Sequence, residues 1–453
     1  MIRVNAHRLG AISTLALVEL FAIGLVASTA GPALAQATFE KAIATPGSSY
    51  AQDVAQTADG GHVVGANYCS ETCYFALLWK LDSSGNLQWQ KQYQLPGFQT
   101  QLNASRQTSD GGYVWAGYLP YFNGCPGCAF VAKLDSNGDI QWQNSYRGLD
   151  VAQAKDIWQT TVDGGYVIAG DTAPSQFGTR QAWIAKLDSF GNVQWQKSLS
   201  DSNNACYGAF GNSLQQTTGG GFVLVGYTSV YPWKVLVVKV DSNGNIKWQI
   251  RYSTSGGSSA GCGIQQTSDG GYIVGGYNTD VSTQNALALK IDSSGKVQWA
   301  KTYGASGATT SQFNSVRQTT DGGYAFGGYF YNSGDKSWIV RADSNGNVQW
   351  QKTYGKSTAA RQFNKVSATS NGGLIAVGHT NQFNSAGSAY IVKTDSGGIV
   401  ANCADLQSTT ATIRSVPFTS SSARLSISVP TNLSESGFAT ASSTSLTLTQ
   451  ECP

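Results

Sequence analysis

The sequence contains few side chains of the kinds that carry enzymatic chemistry. It has three histidines and one methionine among 453 residues, and charged residues make up 12% of the chain. After residue 35 the glutamates are Glu40, Glu71, Glu435 and Glu451. A glycosidase needs two paired carboxylates, one of them commonly a glutamate, and these four neither recur nor cluster. Hydrolysis of glycosidic bonds is therefore not expected.

Long apolar runs are absent after the first 35 residues. Within those residues, Arg3 and Arg8 precede a largely apolar stretch at 12–26, and Ala33-Leu34-Ala35 forms an A-x-A cleavage site. This pattern predicts that residues 1–35 are a signal peptide. The mature protein is then expected to be secreted or displayed at the cell surface, with no segment inserted in a membrane.

A strong charge of either sign is also lacking. The chain has 29 basic and 26 acidic residues, and the predicted leader contains two arginines and one glutamate, which leaves 27 against 25. So balanced a chain gives no electrostatic reason to expect nucleic acid as a partner. We predict a monomer.

Glycine is abundant, with 53 residues, and a double glycine marks an internal repeat with a period of about 50 residues. The double glycine begins at Gly60, Gly111, Gly164, Gly220, Gly270, Gly322 and Gly372. An aspartate ends a second phrase in every copy, at Asp82, Asp135, Asp188, Asp241, Asp292, Asp343 and Asp395. A tryptophan follows in six copies, at Trp89, Trp142, Trp195, Trp248, Trp299 and Trp350.

Each copy can be divided into four short strands. In the sixth copy they are expected at 315–319, 324–329, 338–343 and 348–354, and the Asp321-Gly322-Gly323 turn between the first two is typical of a tight hairpin. Four strands per 50-residue unit are typical of a propeller blade. We predict an all-β fold in which residues 36–403 form a seven-bladed β-propeller.

The seventh copy lacks its fourth-strand tryptophan, and residues 38–43 provide a replacement. Their sequence, TFEKAI, aligns with the fourth-strand phrase QWQKTY, so that Phe39 takes the tryptophan position and Lys41 the lysine position. The N-terminal strand is therefore expected to complete the last blade. Such closure removes exposed sheet edges.

All eight cysteines lie in the predicted exported part, where disulfides are expected. They are Cys69, Cys73, Cys125, Cys128, Cys206, Cys262, Cys403 and Cys452. We predict Cys206 paired with Cys262 and Cys403 with Cys452, with the other four paired locally or across neighbouring loops. The C-x3-C and C-x2-C spacings leave a zinc site as the alternative, and Cys125 to Cys128 also has the spacing of a redox motif.

Residues 404–453 form a Ser/Thr-rich C-terminal segment with almost no charge. Alternation at 424–429 and 445–449 indicates two or more extended strands. The segment is either a small β appendage or a stalk.

The phrase Q-T-x-D-G-G-Y followed by K-x-D-S-x-G-N-x-x-W resembles a class of exported bacterial and archaeal repeat proteins. A more distant similarity is to the quinoprotein alcohol dehydrogenase-like propellers, whose blades carry A-x-D-x-x-T-G-x-x-x-W. Asp343, Gly346 and Trp350 follow that pattern with one residue fewer between Asp and Gly. The resemblance implies that the six repeated tryptophans dock neighbouring blades.

Two features allow a binding or a structural interpretation. Asp135, Asn137 and Asp139 resemble the start of a calcium loop, although the same phrase serves as a hairpin turn in every copy. We predict no cofactor, with calcium as the alternative. His62 and His379 occupy positions that are aromatic in most copies, and the alternative role for each is a base or a metal ligand.

A basic residue lies two positions before the turn aspartate in every copy, as Lys80 does before Asp82. Strand alternation places the two side chains on one face. An ion pair that braces the turn is expected, and a ring of anion-binding groups is the alternative.

One position at the start of the first strand is polar in nearly every copy. It is occupied by Gln52, Asn103, Lys155, Asn212, Cys262, Asn314 and Asn364. The first strand of each blade lines the central channel, so these groups are expected around its mouth, with Asp156, Trp158, Phe313 and Phe363 adding charge and stacking. Amides beside aromatic rings suit carbohydrate. The alternative is that the amides only satisfy buried backbone groups.

Three classes of function follow. The first is an exported, non-catalytic module that binds a glycan, a peptide or a surface component at the channel mouth. The second is a structural or adhesive surface protein that uses the C-terminal segment as a spacer. The third is a quinoprotein-like or polysaccharide-directed enzyme. The absence of recurring catalytic groups favours the first.

Overall fold

The computed structural model describes most of the chain between residues 37 and 452. The described residues are 37–44, 47–69, 74–95, 98–120, 127–175, 180–201, 213–228, 231–254, 257–280, 282–355, 361–381, 387–401, 407–408, 411–415, 419–422, 425–428, 434–436, 440–443 and 447–452. The predicted signal peptide lies outside them, as do Cys73, Cys125, Cys206, Asn212 and Cys403. Gln36–Pro453 forms one compact unit.

The described residues form β-strands and contain no helix. Nothing in these ranges is therefore a helical segment that could cross a membrane. The first described strand is β1 (Phe39–Ala44). The first three repeats contain β2 (Ser48–Gln56), β3 (His62–Cys69), β4 (Tyr74–Leu81), β5 (Leu87–Gln94), β6 (Gln101–Gln107), β7 (Tyr113–Leu119), β8 (Cys128–Leu134), β9 (Ile140–Tyr146), β10 (Val151–Gln159), β11 (Tyr166–Ala173), β12 (Gln181–Leu187) and β13 (Val193–Asp201).

The later repeats continue the pattern. Repeats four and five contain β14 (Ser213–Gln216), β15 (Phe222–Tyr227), β16 (Val235–Val240), β17 (Ile246–Ser253), β18 (Ser258–Gln266), β19 (Tyr272–Thr279), β20 (Gln284–Ile291) and β21 (Val297–Ala305). Repeats six and seven contain β22 (Thr310–Gln318), β23 (Tyr324–Tyr331), β24 (Asp335–Ala342), β25 (Val348–Thr353), β26 (Arg361–Ala368), β27 (Leu374–Thr380) and β28 (Ser388–Thr394). The C-terminal segment contains β29 (Gln407–Ser408), β30 (Ala411–Ser415), β31 (Thr419–Ser422), β32 (Leu425–Ser428), β33 (Ser434–Ser436), β34 (Thr440–Ser443) and β35 (Thr447–Cys452).

Glycine turns join the strands of each repeat. In the sixth repeat, Gly322 and Gly346 have φ values of +82° and +73°, which a side chain would strain. Asp343 Oδ1 accepts the backbone N–H groups of Asn345 and Asn347 at 2.9 and 2.8 Å. The four strands predicted for this repeat are confirmed, with the first and third beginning several residues earlier than expected.

Consecutive strands of each repeat pair antiparallel, and apolar clusters fill the space between neighbouring repeats. One cluster, for example, joins Leu78 and Tyr93 of the first repeat to Leu102 and Phe130 of the second. Short antiparallel sheets that repeat along the chain and pack face to face make a β-propeller. The predicted all-β propeller architecture is confirmed.

Hydrogen bonding divides the strands into six sheets rather than seven separate ones. Five sheets have five strands each, and the sixth has ten because it combines repeats five and six. A single parallel bridge between Gln284 on β20 and Thr310 on β22 joins those two repeats. Each repeat still keeps its own antiparallel order within this sheet.

The N-terminal strand β1 pairs with the seventh repeat. It lies antiparallel to β28, with Phe39 opposite Lys393 and Ile43 opposite Ala389. Its side chains reach the first repeat: Phe39 contacts the turn at Gly85, and Lys41 Nζ donates to the Gly85 carbonyl at 2.6 Å. β1 therefore contacts both the seventh and the first repeat.

The C-terminal segment runs along the outer edges of the repeats. Its strands β29, β30, β31, β32, β33, β34 and β35 pair in turn with β25, β21, β17, β13, β9, β5 and β1. Each of these strands adds a strand to the outer edge of a sheet, and the order runs backwards from the sixth repeat to the first and ends on β1. We call β29 to β35 the C-terminal belt. The strands expected near 424–429 and 445–449 are present as β32 and β35, and the segment adds strands to the sheets of the repeats instead of forming an appendage or a stalk.

Six tryptophans on the fourth strands lie against the next repeat. The contacts are Trp89 on Gly138, Trp142 on Gly191, Trp195 on Gly244, Trp248 on Gly295, Trp299 on Gly346 and Trp350 on Gly398. A β-carbon at Gly398 would lie 2.5 Å from the Trp350 ring, so glycine is required there. The indole Nε1 of Trp350 also donates to the Ser396 carbonyl at 3.1 Å. These contacts agree with the docking role that the family resemblance implied.

The basic residue before the turn aspartate pairs with a different acid from the one predicted. Lys290 Nζ lies 2.8 Å from Asp269 in the double-glycine turn, instead of bracing Asp292. Lys80, Lys133, Lys186 and Arg341 make the same contact with Asp59, Asp110, Asp163 and Asp321. In these five repeats the pair ties the third strand to the first hairpin.

Two of the predicted disulfide cysteines are thiols, namely Cys69 and Cys262. Cys262 Sγ accepts a hydrogen bond from Gln312 Nε2 at 3.7 Å. The predicted pairing of Cys262 with Cys206 and the local pairing of Cys69 are therefore wrong. Cys128 is disulfide-bonded. Its partner and the remaining pairings involve residues outside the described ranges and stay predictions. Among the described residues no group of His, Cys, Asp and Glu is arranged to hold a metal ion.

Candidate functional site

The first strand of each repeat is called its inner strand. Each described inner strand carries a β-bulge near its start, apart from the short β14. The register with the second strand shifts at one residue that has no partner, as between Phe313 and Ser315 in the sixth repeat. The bulged residues are Gln52, Asn103, Lys155, Cys262, Asn314 and Asn364. A bulge turns an extra side chain out of the regular ladder. These residues occupy the position at which the sequence predicted a polar ring.

The bulged residues line one cavity of about 380 Å³. We call it the central cavity, and its lining residues are Gln52, Asn103, Lys155, Cys262, Gln312, Asn314, Tyr329, Gln362, Asn364 and Lys365. Six repeats contribute to it. The seventh member of the predicted ring, Asn212, lies outside the described residues.

The asparagine side chains of the cavity also hold neighbouring repeats together. Asn314 Nδ2 donates to the Phe363 carbonyl at 2.7 Å, and Asn103 Nδ2 donates to the Ala154 carbonyl at 2.7 Å. Asn364 Nδ2 donates to the Ala51 carbonyl at 2.9 Å. The alternative interpretation, that these amides satisfy backbone groups, is correct for their amino groups. The asparagines therefore form a rigid frame for the cavity.

Beside the cavity lies a buried charged cluster that the sequence did not reveal. Arg106 pairs with Asp53 and, at 3.1 Å, with Asp156. Lys365 Nζ lies 3.5 Å from Asp53. Arg317 donates to the Val316 carbonyl at 2.8 Å, and its positive charge is repelled by that of Arg106. The cluster joins inner strands of five repeats.

The pKa values in this cluster reflect burial and close charge pairing. Burial alone would raise the pKa of Asp53, but Arg106, Lys365 and the Ser105 N–H group hold it below its ordinary value. Burial lowers the pKa of Lys365 and of Arg317. The aspartate is therefore a fixed anion and not a proton carrier.

Two predicted site residues belong to this cluster. Asp156 is 1% exposed, and its Oδ2 accepts the Leu214 N–H group at 2.8 Å. Trp158 packs against Arg106, with 5.2 Å between the guanidinium carbon and the ring centroid. Neither lines the central cavity. The prediction that Asp156 and Trp158 provide charge and stacking for a ligand in the central cavity is wrong. Asp156 pairs with Arg106, and Trp158 packs on the same guanidinium group.

Two predicted aromatic site residues are core residues. Phe313 is fully buried and stacks on Phe326 with ring centroids 4.7 Å apart. Phe363 is fully buried and stacks on Tyr390 at 5.7 Å. Each precedes its bulged residue, so it faces the opposite side of the strand from the cavity. The predicted stacking on a ligand is wrong for both.

Lys155 lines the cavity, and its charge interacts with that of a second acidic group, Asp171. Asp171 is 1% exposed and pairs with Arg180, which directly precedes the neighbouring strand β12. Burial raises the pKa of Asp171 despite the two nearby cations, Lys155 and Arg180. Burial lowers the pKa of Lys155, and Asp171 opposes that shift.

The two histidines lie outside the lining of the cavity. His62 is fully buried, and burial lowers its pKa to about 3, with Lys393 adding to the shift. His379 packs edge-on against Tyr50 at 5.2 Å, and burial lowers its pKa as well. Both are neutral at ordinary pH, which agrees with the aromatic-position interpretation.

The calcium-like phrase forms a turn that uses the aspartate internally. Asp135 Oδ1 accepts the backbone N–H groups of Asn137 and Asp139 at 2.8 and 2.9 Å. Asp139 also pairs with Lys91 of the preceding repeat. The phrase thus acts as a braced hairpin and as a contact between repeats.

Comparison with known proteins gives only remote likenesses. No family model and no curated protein matches the chain. The crystal structure of Sqt1 from Chaetomium thermophilum aligns with a TM-score of 0.46 and 9% identity, over 79% of this chain and 100% of that one. The same protein bound to the N-terminus of ribosomal protein L10 gives 0.45 and 10%, over 79% and 99%. A protein of unknown function from Dyadobacter fermentans gives 0.43 and 10%, over 78% and 98%. Similarity at this level carries no argument about function.

Proposed function

We propose that the chain is a seven-bladed ring in which β1 supplies the fourth strand of the seventh blade. Phe39 and Lys41 contact the turn at Gly85 as Trp350 and Lys352 contact the turn at Gly398. An apolar cluster also joins the seventh repeat, through Ile375 and Ile391, to Val54 and Trp79 of the first. These contacts support closure between the last and the first repeat.

Closure can be tested with Phe39. If β1 holds the ring closed, Phe39→Ala should lower the melting temperature by about as much as Trp350→Ala, whereas Phe39→Trp should be tolerated because it restores the residue found in six repeats. Gln349→Ala, on an exposed side chain, is the control. A Phe39→Ala protein as stable as this control would contradict closure.

We further propose that the ring is a non-catalytic interaction module whose ligand enters the central cavity. The observation that carries this proposal is the convergence of six bulged residues from six repeats on one cavity. Its lining of amides, a phenol and two lysines offers both hydrogen-bond donors and acceptors. Such a lining suits a hydroxyl-rich ligand such as a glycan, with a peptide or another surface component as the alternatives.

The acidic groups near the cavity support binding over hydrolysis. Asp53 and Asp156 are both paired with Arg106, and Asp171 is paired with Arg180. A general acid or base must be free to exchange a proton with its substrate. Buried carboxylates held by guanidinium groups are poorly suited to that role.

We also propose that the protein acts after export, with residues 1–35 removed. The support is the A-x-A site at Ala33-Leu34-Ala35 and the apolar stretch before it. The structural or adhesive alternative assigned the C-terminal segment to a free spacer. The pairing of the belt with each repeat in turn favours a role inside the fold instead.

A binding screen on the mature protein tests the main proposal. The protein would be applied to a glycan array and to a peptide array, and each positive would be measured by calorimetry. Gln52→Trp should abolish binding, because the indole would fill the cavity. Gln88→Trp, on the exposed side of β5, should leave binding unchanged. A ligand that binds both variants equally well would place the site elsewhere.

A further inference from the structure

The charges of the residues that line the central cavity are unbalanced. Its described lining includes Lys155 and Lys365 and no carboxylate. Of the aspartates beside it, Asp53, Asp156 and Asp171 pair with arginines, and Asp335 accepts a hydrogen bond from Gln362 of the lining at 2.8 Å.

Lys155 interrupts a ring of mostly amide side chains. The equivalent bulged residues in three other repeats are asparagines that donate to the backbone of the next repeat. Lys155 makes no hydrogen bond to any residue in the described ranges, and Asp171 influences it only through charge. Its ammonium group is therefore available to a ligand in the cavity.

Lys365 is the second basic group of the lining, and its partner is already bonded elsewhere. Asp53 lies 3.5 Å from Lys365, but the oxygens of Asp53 also accept the N–H groups of Val54 at 3.0 Å and Ser105 at 2.8 Å, as well as Arg106. The carboxylate thus divides its charge among several donors. Lys365 keeps part of its positive charge uncompensated.

Uncompensated positive charge on side chains that are shielded from water is costly unless something neutralises it. Burial penalises the charged form of both lysines, as the lowered pKa of each indicates. An anion between the two ammonium groups would remove that penalty and form charge-assisted hydrogen bonds. The remaining lining, including Gln52 and Tyr329, would still be available for neutral hydroxyl groups.

We propose that the ligand of the central cavity is an acidic saccharide, whose carboxylate or sulfate group lies between Lys155 and Lys365. This inference rests on the proposed binding function and specifies the chemical class of its ligand. The two lysines select the anion, and the amides and the phenol bind the hydroxyl groups around it.

The test compares a charged saccharide with its neutral counterpart. Binding of tri-galacturonic acid and of its methyl ester, with acidic and neutral glycans on an array, would be measured on the mature wild-type protein and on Lys155→Asn. This variant introduces the amide present in three other repeats, so the fold should be kept. Lys247→Asn, at an exposed lysine on β17, is the control. A melting curve for each protein verifies folding.

The wild-type protein should bind acidic glycans at least about ten-fold more tightly than their neutral forms. Lys155→Asn should remove most of that preference while keeping the affinity for neutral forms, and Lys247→Asn should change neither. Equal affinity for both forms, or a preference that survives in Lys155→Asn, would overturn the charge inference and leave the proposed glycan binding intact. Binding of acidic peptides alone would overturn the saccharide assignment. Binding of no glycan or peptide would overturn both proposals.

Discussion

The outer turns and the inner strands of this propeller solve the same packing problem in different ways. At the outer turns, six repeats use the same pair, a tryptophan on a glycine of the next repeat. On the inner strands, six repeats share a bulge, but the bulged residue is a glutamine, a lysine, a cysteine or one of three asparagines. A contact that needs one residue type is conserved among the copies. A backbone feature that many residues allow leaves the side chain free for recognition.

The largest expected effect is at the buried charged cluster. Asp53→Asn removes the charge that pairs with Arg106 and partly neutralises Lys365, so buried cations lose their compensation. We expect the free energy of unfolding to fall by about 3–5 kcal/mol. Urea denaturation would measure it. A loss of under about 1 kcal/mol would show that the inner strands tolerate change even at this charge.

Loss of a tryptophan contact at an outer turn should lower the free energy of unfolding somewhat less. Trp350→Ala removes a ring that packs on Gly398 and a hydrogen bond to the Ser396 carbonyl. Because the ring is only half-buried, we expect a loss of about 3 kcal/mol, at the lower end for tryptophan. Gln349→Ala on the same strand should lose almost nothing. Denaturation of the two variants side by side measures the difference.

Acid should weaken the ion pairs at the first hairpins of the repeats. The pKa values of Asp59, Asp110, Asp163 and Asp269 are lowered to about 2, since lysine pairing and hydrogen bonds outweigh burial. A folded-state pKa below the unfolded value stabilises the fold above the unfolded pKa, and that stability is lost as pH falls from about 4 to about 2. Urea midpoints should decrease across this range.

A variant sharpens the acid prediction. Asp269→Asn should lower the urea midpoint at pH 6 and flatten its acid dependence, so that variant and wild type converge near pH 2. The fourth repeat already has Gly219 at this position, and its Lys239 packs on Tyr272 instead. Parallel curves for the two proteins down to pH 2 would contradict the assigned role of Asp269.

The smallest effect is expected at the bulged residues. Asn103→Ala removes one hydrogen bond to the Ala154 carbonyl and should cost about 1 kcal/mol. Gln52→Ala loses only a 3.5 Å contact from Asn364 and should cost close to nothing. Differential melting of the two variants measures the contrast. Equal, large losses would mean that the inner ring serves packing and leaves no freedom for recognition.

The turns and the fourth strands could be predicted from the sequence because each needs particular residue types. A turn with positive φ needs glycine, so Gly322 and Gly346 marked the hairpins of their repeat. Phe39 could be placed because residues 38–43 repeat a phrase found in six copies. The position of the bulged residues followed from aligning the repeats.

The roles of the side chains on the inner strands could be predicted only in part. Phe313 and Phe363 were assigned to the cavity, but a shift of one residue along a strand reverses the face, and both pack in the core. Arg106 and Arg317 gave no signal, because the same position is alanine, tryptophan, glutamine or serine in the other repeats. An arginine in two of seven copies is not visible as a pattern.

The belt could not be placed because its partners are backbone groups. Alternating serine and threonine indicated extended strands near 424–429 and 445–449, but edge pairing depends on N–H and C=O groups that every residue has. The sequence therefore predicted strands without their positions. Only the structure shows that the belt strands pair with the repeats in reverse order along the chain.

The position of β1 between β28 and β35 has a consequence for how the molecule assembles. Both hydrogen-bonding neighbours of this strand lie some 350 residues or more further along the chain, as the pairs Phe39 with Lys393 and Ala44 with Thr447 show. Contacts so distant in sequence form late and slow the search for the native state. The strand nearest the N-terminus must therefore wait until almost the whole polypeptide is available, so the last sheet to form is the one that contains the first strand.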